Sequence, residues 1–165
     1  MRWRRLVLVL AGTALSLTAC SGDDGGEPPA PASPSPTENL TAKPEFEIPD
    51  GAPPGELQTR VLVEADGPEV QAGDTVTVHY VGKAWSTGEQ FDASWDRDRP
   101  LVFEFGGGQM IEGWERGMAG MRVGERRMII IPPDLAYGDR GVPDAGIEPG
   151  ETLVFVVDLL DVNGP

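Results

Sequence analysis

The sequence predicts an α+β domain, several antiparallel strands with one short helix covering their apolar face. Two observations carry this. Five segments alternate or run apolar between turn signals, as half-buried strands do. Only one segment carries apolar residues at helical spacing. The chain has 165 residues, which suggests one ordinary domain plus extensions.

The segment "LQTRVLV" (57–63) reads as a weak first strand. "TVTVHYV" (75–81) alternates, with Val76, Val78 and Tyr80 on one face and Thr75, Thr77 and His79 on the other. "LVFEF" (101–105) turns Leu101, Phe103 and Phe105 inward, and "RRMIII" (126–131) puts Ile129 and Ile131 on one side. "TLVFVVDLLDV" (152–162) groups Leu153, Phe155, Val157 and Leu159. Turns fall between them at "AGD" (72–74), "STGE" (86–89), "VGE" (123–125) and "PP" (132–133). The helix is marked by Ile111, Trp114, Met118 and Met121, spaced i, i+3, i+7 and i+10. It is an odd helix: Gly113 and Gly117 each cost it about 1 kcal/mol against alanine. Something other than helix propensity selected "IEGWERGM".

Ahead of the domain, "MRWRR" is a basic start and "LVLVLAGTALSL" an apolar run of signal-peptide length, short for a membrane span. "LTAC" (17–20) follows and resembles a bacterial lipobox, whose cysteine is lipidated and becomes the mature N-terminus. Cys20 is the lone cysteine, which excludes an intrachain disulfide and a multi-cysteine metal site. Residues 1–19 are thus expected to be a lipoprotein signal. The diacylglyceryl group carries two chains, enough for stable anchoring on the extracytoplasmic side of the cell membrane. Residues 20–55, rich in Pro, Ser, Gly and acids, read as a lipidated cysteine and a disordered tether. "FEIP" (46–49) is a docking candidate inside it, but the tether reading is kept for the whole stretch. The domain is placed at 56–163.

A net charge of −14 argues against nucleic acid, which rewards Lys and Arg, and against electrostatic docking on anionic lipid. "GGGQMIEG" lacks the Lys-Ser/Thr of a P-loop and fails GxGxxG at Ile111. His79, the only histidine, has no nucleophile motif to serve and reads as a surface residue. "DASWDRD" holds Asp92, Asp96 and Asp98 but misses the EF-hand pattern, so its charges read as locally paired with Arg97 and Arg99. No metal and no cofactor are expected. What remains is aromatic: Tyr80, Phe91, Phe103, Trp114, Tyr137 and Phe155. Tyr and Trp carry polar tips and suit a concave apolar site better than a dry interior.

Five blocks in order, "VHYVG" (78–82), "FDASWDR" (91–97), "IEGWERGMAGMRVGERR" (111–127), "IPPDLAYG" (131–138) and "PGETLVFVVDLLDV" (149–162), resemble the FKBP-type peptidyl-prolyl cis-trans isomerases, the macrolide-binding immunophilins. The resemblance covers the whole domain. It implies a five- or six-stranded antiparallel sheet wrapped around the short helix, and an enzyme that turns X–Pro bonds. It also nominates a pocket: Trp114 as floor; Tyr80, Phe91, Phe103 and Phe155 as walls; Leu101, Met110, Ile111 and Ile147 completing it. The Ile111 N–H and the Tyr137 hydroxyl match positions that hydrogen-bond ligand carbonyls, and Asp92 matches the acid beside the reacting amide. Asp92, Tyr137 and Phe91 are the catalytic candidates. Leu101 stands where the best-known members have an aromatic, Met110 where they have a branched aliphatic, and Val142 where an aromatic or histidine is common. The loop 138–150 is one residue longer. These departures touch the rim and bear on sequence preference and macrolide affinity. The expected partners are proline-containing polypeptides and rapamycin-type macrolides, met by a monomer. The alternative is a non-catalytic module that holds proline segments or a partner in the same pocket. A general holdase would call for an added flap domain or an exposed apolar patch.

Overall fold

A computed structural model describes residues 40–164. The expectations for residues 1–39, including the signal, Cys20 and most of the tether, lie outside the described residues. Six strands form one sheet: β1 (Gln58–Val63), β2 (Thr75–Ala84), β3 (Gln90–Ala93), β4 (Leu101–Glu104), β5 (Arg126–Ile131) and β6 (Leu153–Asn163). The order is β1-β5-β6-β2-β3, with β4 also on β2, and every pairing is antiparallel. The five expected strands are all present. The sixth, β3, is not among the five segments read from periodicity, and it falls within the five- or six-stranded sheet that the resemblance implies.

β2 pairs with β6 along its whole length, whereas its other edge is shared. β4 takes Thr75–Val78 and β3 takes Val81–Lys83. Between them Ser94 fills the gap: its N–H donates to the Tyr80 carbonyl (3.1 Å) and its hydroxyl accepts the Tyr80 N–H (2.8 Å). The chain then leaves the sheet as a 3-10 turn, Trp95–Arg97, closed by Asp98 in the left-handed region (φ 47°). An aspartate tolerates that conformation better than most non-glycine residues.

The sole α-helix among the described residues, α1 (Glu112–Met118), packs on β5 and presents Trp114 and Met118 to the core. Seven residues are too few to hold a helix in water, so tertiary packing must hold this one. The glycines explain how. A Cβ on Gly113 would stand 2.2 Å from the Ile131 side chain, and one on Gly117 would stand 2.5 Å from Ile129. The helix backbone lies directly on β5, and only glycine permits that approach. The expected inward sets meet here: Val76, Val78, Tyr80, Phe103, Phe105, Ile129, Ile131, Leu153, Phe155, Val157 and Leu159 share one cluster with Trp114, Met118 and Met121.

The opposite face of the sheet is also covered. Val81, Met128, Ile130, Val154 and Val156 alternate with the helix-facing residues and form a second cluster with Ala93 and Phe46. Phe46 is only 8% exposed. Lys83 Nζ donates to the Phe46 carbonyl (2.6 Å) and stands 4.7 Å from its ring centroid. Arg126, bonded to Asp158 beneath the same face, donates through Nη2 to the Ala42 carbonyl (3.0 Å). The expected boundary at Glu56 therefore falls inside the folded body. Residues 42–49 are docked strap, because Phe46 and Ile48 fit an apolar sheet face that composition alone does not reveal. His79 also departs from expectation. It is half-buried, stacked on Trp95 (4.0 Å between centroids) and hydrogen-bonded to Ser94 Oγ (2.8 Å).

Candidate functional site

At the edge of the helix-side core, aromatic rings leave a hollow of about 350 Å³ lined by Tyr80, Phe91, Asp92, Gln109, Met110, Ile111, Trp114, Tyr137 and Phe155. A volume of that order suits a small ligand or a few residues of peptide. Trp114 sits at its base, 1% exposed, placed there as the third residue of a helix that rests on β5. Its indole meets Tyr80 (5.2 Å, 84°) and Phe155 (5.2 Å, 89°) edge-on, and Phe155 meets Phe91 the same way (5.5 Å, 86°). Edge-to-face pairs of this kind add about 0.5–1.5 kcal/mol beyond burial. Three pairs are thus near-perpendicular, while Tyr80 and Phe155, both edge-on to Trp114, are tilted 59° to each other. The buried Trp114 Nε1 has no hydrogen-bond partner among the described residues.

Gly82 completes the wall. It lies in the middle of β2, and a Cβ there would stand 2.7 Å from both Phe155 and Phe91. The perpendicular pair exists because β2 has no side chain at that point. A glycine inside a strand signals close approach of another group, and Gly82 carries that signal in "VHYVG".

One lip of the hollow is charged. The Tyr80 hydroxyl donates to one oxygen of Asp92, Arg97 Nη1 donates to the other, and Arg97 Nη2 donates to the Tyr80 oxygen (2.9 Å). Burial opposes ionisation of Asp92, but the hydrogen bonds from Arg97 and Tyr80 outweigh it and hold the carboxyl below its usual range. Burial, with the Asp92 bond, pushes the Tyr80 phenol up to about 12. Burial also raises Tyr137, helped by the negative Asp92. At neutral pH the site therefore holds one carboxylate with both oxygens engaged and two protonated phenols. Asp92 can supply a fixed negative charge. It has no proton to give.

Ile111 caps α1 in extended conformation (φ −62°, ψ 148°), and its carbonyl accepts the Trp114 N–H (2.9 Å). Its own N–H precedes the helical ladder. Tyr137, 41% exposed, leads into the 3-10 turn Gly138–Arg140. A shallower depression lined by Tyr137, Asp139, Arg140, Gly141 and Val142 adjoins it and shares Tyr137 with the hollow. Three expected pocket residues sit elsewhere. Phe103 and Ile147 are buried in the core, Phe103 against Trp114 (6.0 Å), and Leu101 packs on that core. They support the lining and do not form it. Gln109 lines the hollow without any signal in the sequence that marked it. Arg97, read as local charge pairing, does pair locally, but its partner is the pocket carboxylate. Among the described residues no group of three or more His, Cys, Asp or Glu is placed to hold a metal ion.

Residues 67–160 match the family model of the FKBP-type peptidyl-prolyl cis-trans isomerases. The chain is 58% identical over 120 residues to an FK506-binding protein of Streptomyces anulatus, covering 73% of this chain and 97% of that protein. It is 48% identical over 104 residues to the peptidyl-prolyl cis-trans isomerase FPR2 of Saccharomyces cerevisiae, covering 63% of this chain and 76% of that one. Among solved structures, AtFKBP13 aligns with a TM-score of 0.61 at 36% identity, over 72% of this chain and 99% of that chain.

Proposed function

The chain belongs to the FKBP-type peptidyl-prolyl cis-trans isomerase family and is an isomerase of that kind, and from that premise we propose that it turns X–Pro bonds in extracytoplasmic proteins while held at the cell membrane by a lipid on Cys20. The observation that carries the catalytic part is the bowl of perpendicular rings with an ionised carboxylate at its lip. The basic, apolar and lipobox segments ending at Cys20 support the anchoring part.

Rotation about the imide is resisted by about 18–20 kcal/mol, because resonance puts negative charge on oxygen and double-bond character on C–N. Twisting breaks the resonance, returns charge to nitrogen and makes the group less polar. Water favours the polar planar form. Trp114, Phe155, Phe91 and Tyr80 replace water with rings, so the planar form loses more than the twisted form does. A carboxylate near the carbonyl oxygen acts in the same direction, since its repulsion falls as charge leaves that oxygen. A donor on the rotating carbonyl would oppose this by holding the planar form. The useful targets for the Tyr137 hydroxyl and the Ile111 N–H are therefore flanking carbonyls, which they fix while the imide turns. No bond is made or broken. An acceleration of a millionfold would require about 8 kcal/mol, shared among desolvation, the Asp92 charge and orientation.

Exchange of an X–Pro peptide is measured with the full chain, with and without rapamycin, and the cell fraction holding the protein is compared for wild type and Cys20→Ser. The expected result is rapamycin-sensitive acceleration, with wild type in the membrane fraction and Cys20→Ser released from it. Spontaneous exchange rates would contradict the catalytic part. Unchanged membrane association of Cys20→Ser would contradict the lipid anchor.

A further inference from the structure

The strap at 42–49 reaches the site through one turn of chain. Lys43 Nζ bonds Asp96 Oδ1 (2.5 Å), and Gln90 Nε2 bonds Asp96 Oδ2 (2.6 Å). Asp96 is the middle residue of the turn Trp95–Arg97, and its neighbour Arg97 holds Asp92 and Tyr80. Trp95, at the start of the same turn, packs on the second apolar cluster, of which Phe46 is a member. The strap thus braces this turn from two sides, by charge at Asp96 and through the apolar cluster at Trp95.

The turn is anchored at its start, where Trp95 stacks on His79 and the Ser94 and Trp95 carbonyls accept the Arg97 and Asp98 N–H groups. Its far end is freer: the turn is three residues long, its N-cap makes no side-chain hydrogen bond to it, and it ends on a left-handed aspartate. Arg97 is a long, half-exposed side chain that must give up rotamer freedom to grip Asp92. The adjacent Asp96 carboxylate feels the Arg97 charge, and Lys43 and Gln90 hold that carboxylate while Arg97 bonds Asp92 and Tyr80.

We propose that residues 42–49 are a positioning strap for the isomerase site, in which Lys43 and Phe46 fix the turn Trp95–Arg97 so that Arg97 stays on Asp92 and Tyr80. This rests on the isomerase reading above. Lys43 is a positioning residue: it does not line the hollow and acts through Asp96 and Arg97.

The test uses the full chain and measures kcat/KM on an X–Pro peptide beside the thermal midpoint. Lys43→Met should lower kcat/KM about two- to fivefold with little change in midpoint, the scale of an exposed ion pair. Lys43→Arg should restore it. In an Arg97→Met background, Lys43→Met should have no further effect, because the residue through which it acts is gone. Phe46→Ala should lower kcat/KM at least as far, together with the midpoint. Wild-type kcat/KM in both Lys43→Met and Phe46→Ala, measured below their midpoints, would overturn the proposal and leave a strap that only stabilises. So would a Lys43→Met loss that persists undiminished without Arg97. An inactive wild type would instead sink the isomerase reading, and the strap's role with it.

Discussion

The two faces of this sheet are built from the same strands and do different work. On one face β2, β5 and β6 present Tyr80, Ile129, Ile131 and Phe155 to a helix. On the other, residues one step along present Val81, Met128, Ile130, Val154 and Val156 to an extended strap. The helix is a rigid cylinder that touches the sheet along one line, through Gly113 and Gly117, and at its start large rings are left with a hollow between them. The strap is a thin chain with one buried ring, Phe46, and it closes its face instead. A cover that fits the sheet imperfectly makes a site; a cover that conforms to it makes a brace.

The largest effect should come from breaking the helix face at its centre. Trp114→Ala removes the floor of the hollow and a fully enclosed side chain, and should cost about 3–5 kcal/mol in denaturant unfolding together with most of the activity. Gly113→Ala tests the close approach itself. Despite a better helix propensity, the clash of the new Cβ with Ile131 at 2.2 Å separation should make it destabilising by about 1–3 kcal/mol, and a stabilised variant would show that the helix does not rest on β5 as described. On the strap face Phe46→Ala should cost about 3 kcal/mol, at the low end for a buried ring because the strap can swing aside. Loss of one donor is smaller again: Tyr137→Phe should reduce kcat/KM about two- to tenfold without altering stability.

Acid sharpens the same contrast at the lip of the hollow. The folded carboxyl of Asp92 titrates below its usual value, so its contribution to stability is full above the ordinary aspartate pKa of about 4 and is lost as pH falls through the lower folded value. Unfolding followed across that acid range should show a steeper slope in wild type than in Asp92→Asn, where Asp96, also held low by Lys43 and Gln90, still contributes.

The helix face was legible because its signals are periodic. Alternation in "TVTVHYV" and "TLVFVVDLLDV" gave the inward sets, and the Ile111, Trp114, Met118, Met121 stripe gave the helix. The strap face was not. Phe46 and Ile48 lie among prolines and acids, where two apolar residues make no pattern, and their partner surface comes from strands far along the chain. Charge pairing was half legible: Asp92 finds Arg97 five residues away, but Asp96 finds Lys43 across 53. The choice of Asp92 and Tyr137 over other acids and phenols came from the family resemblance, since nothing in their spacing distinguishes them. Phe103 and Ile147, nominated the same way, stand behind the lining, where the residues that do line it depend on ring orientation that a sequence does not encode. Gly82 was there to be read, as a glycine within a strand.

In the proposed mechanism, rings and a fixed charge loosen the imide without moving a proton. The most direct test is kcat/KM for one X–Pro peptide in light and heavy water across neutral pH. The same value is expected in both solvents, with a flat profile from about pH 7 to 8, since Asp92 stays ionised, both phenols stay protonated and His79, lowered by burial, stays neutral there. A clear slowing in heavy water, or a bell-shaped profile in that window, would mean a proton is in flight and would contradict it.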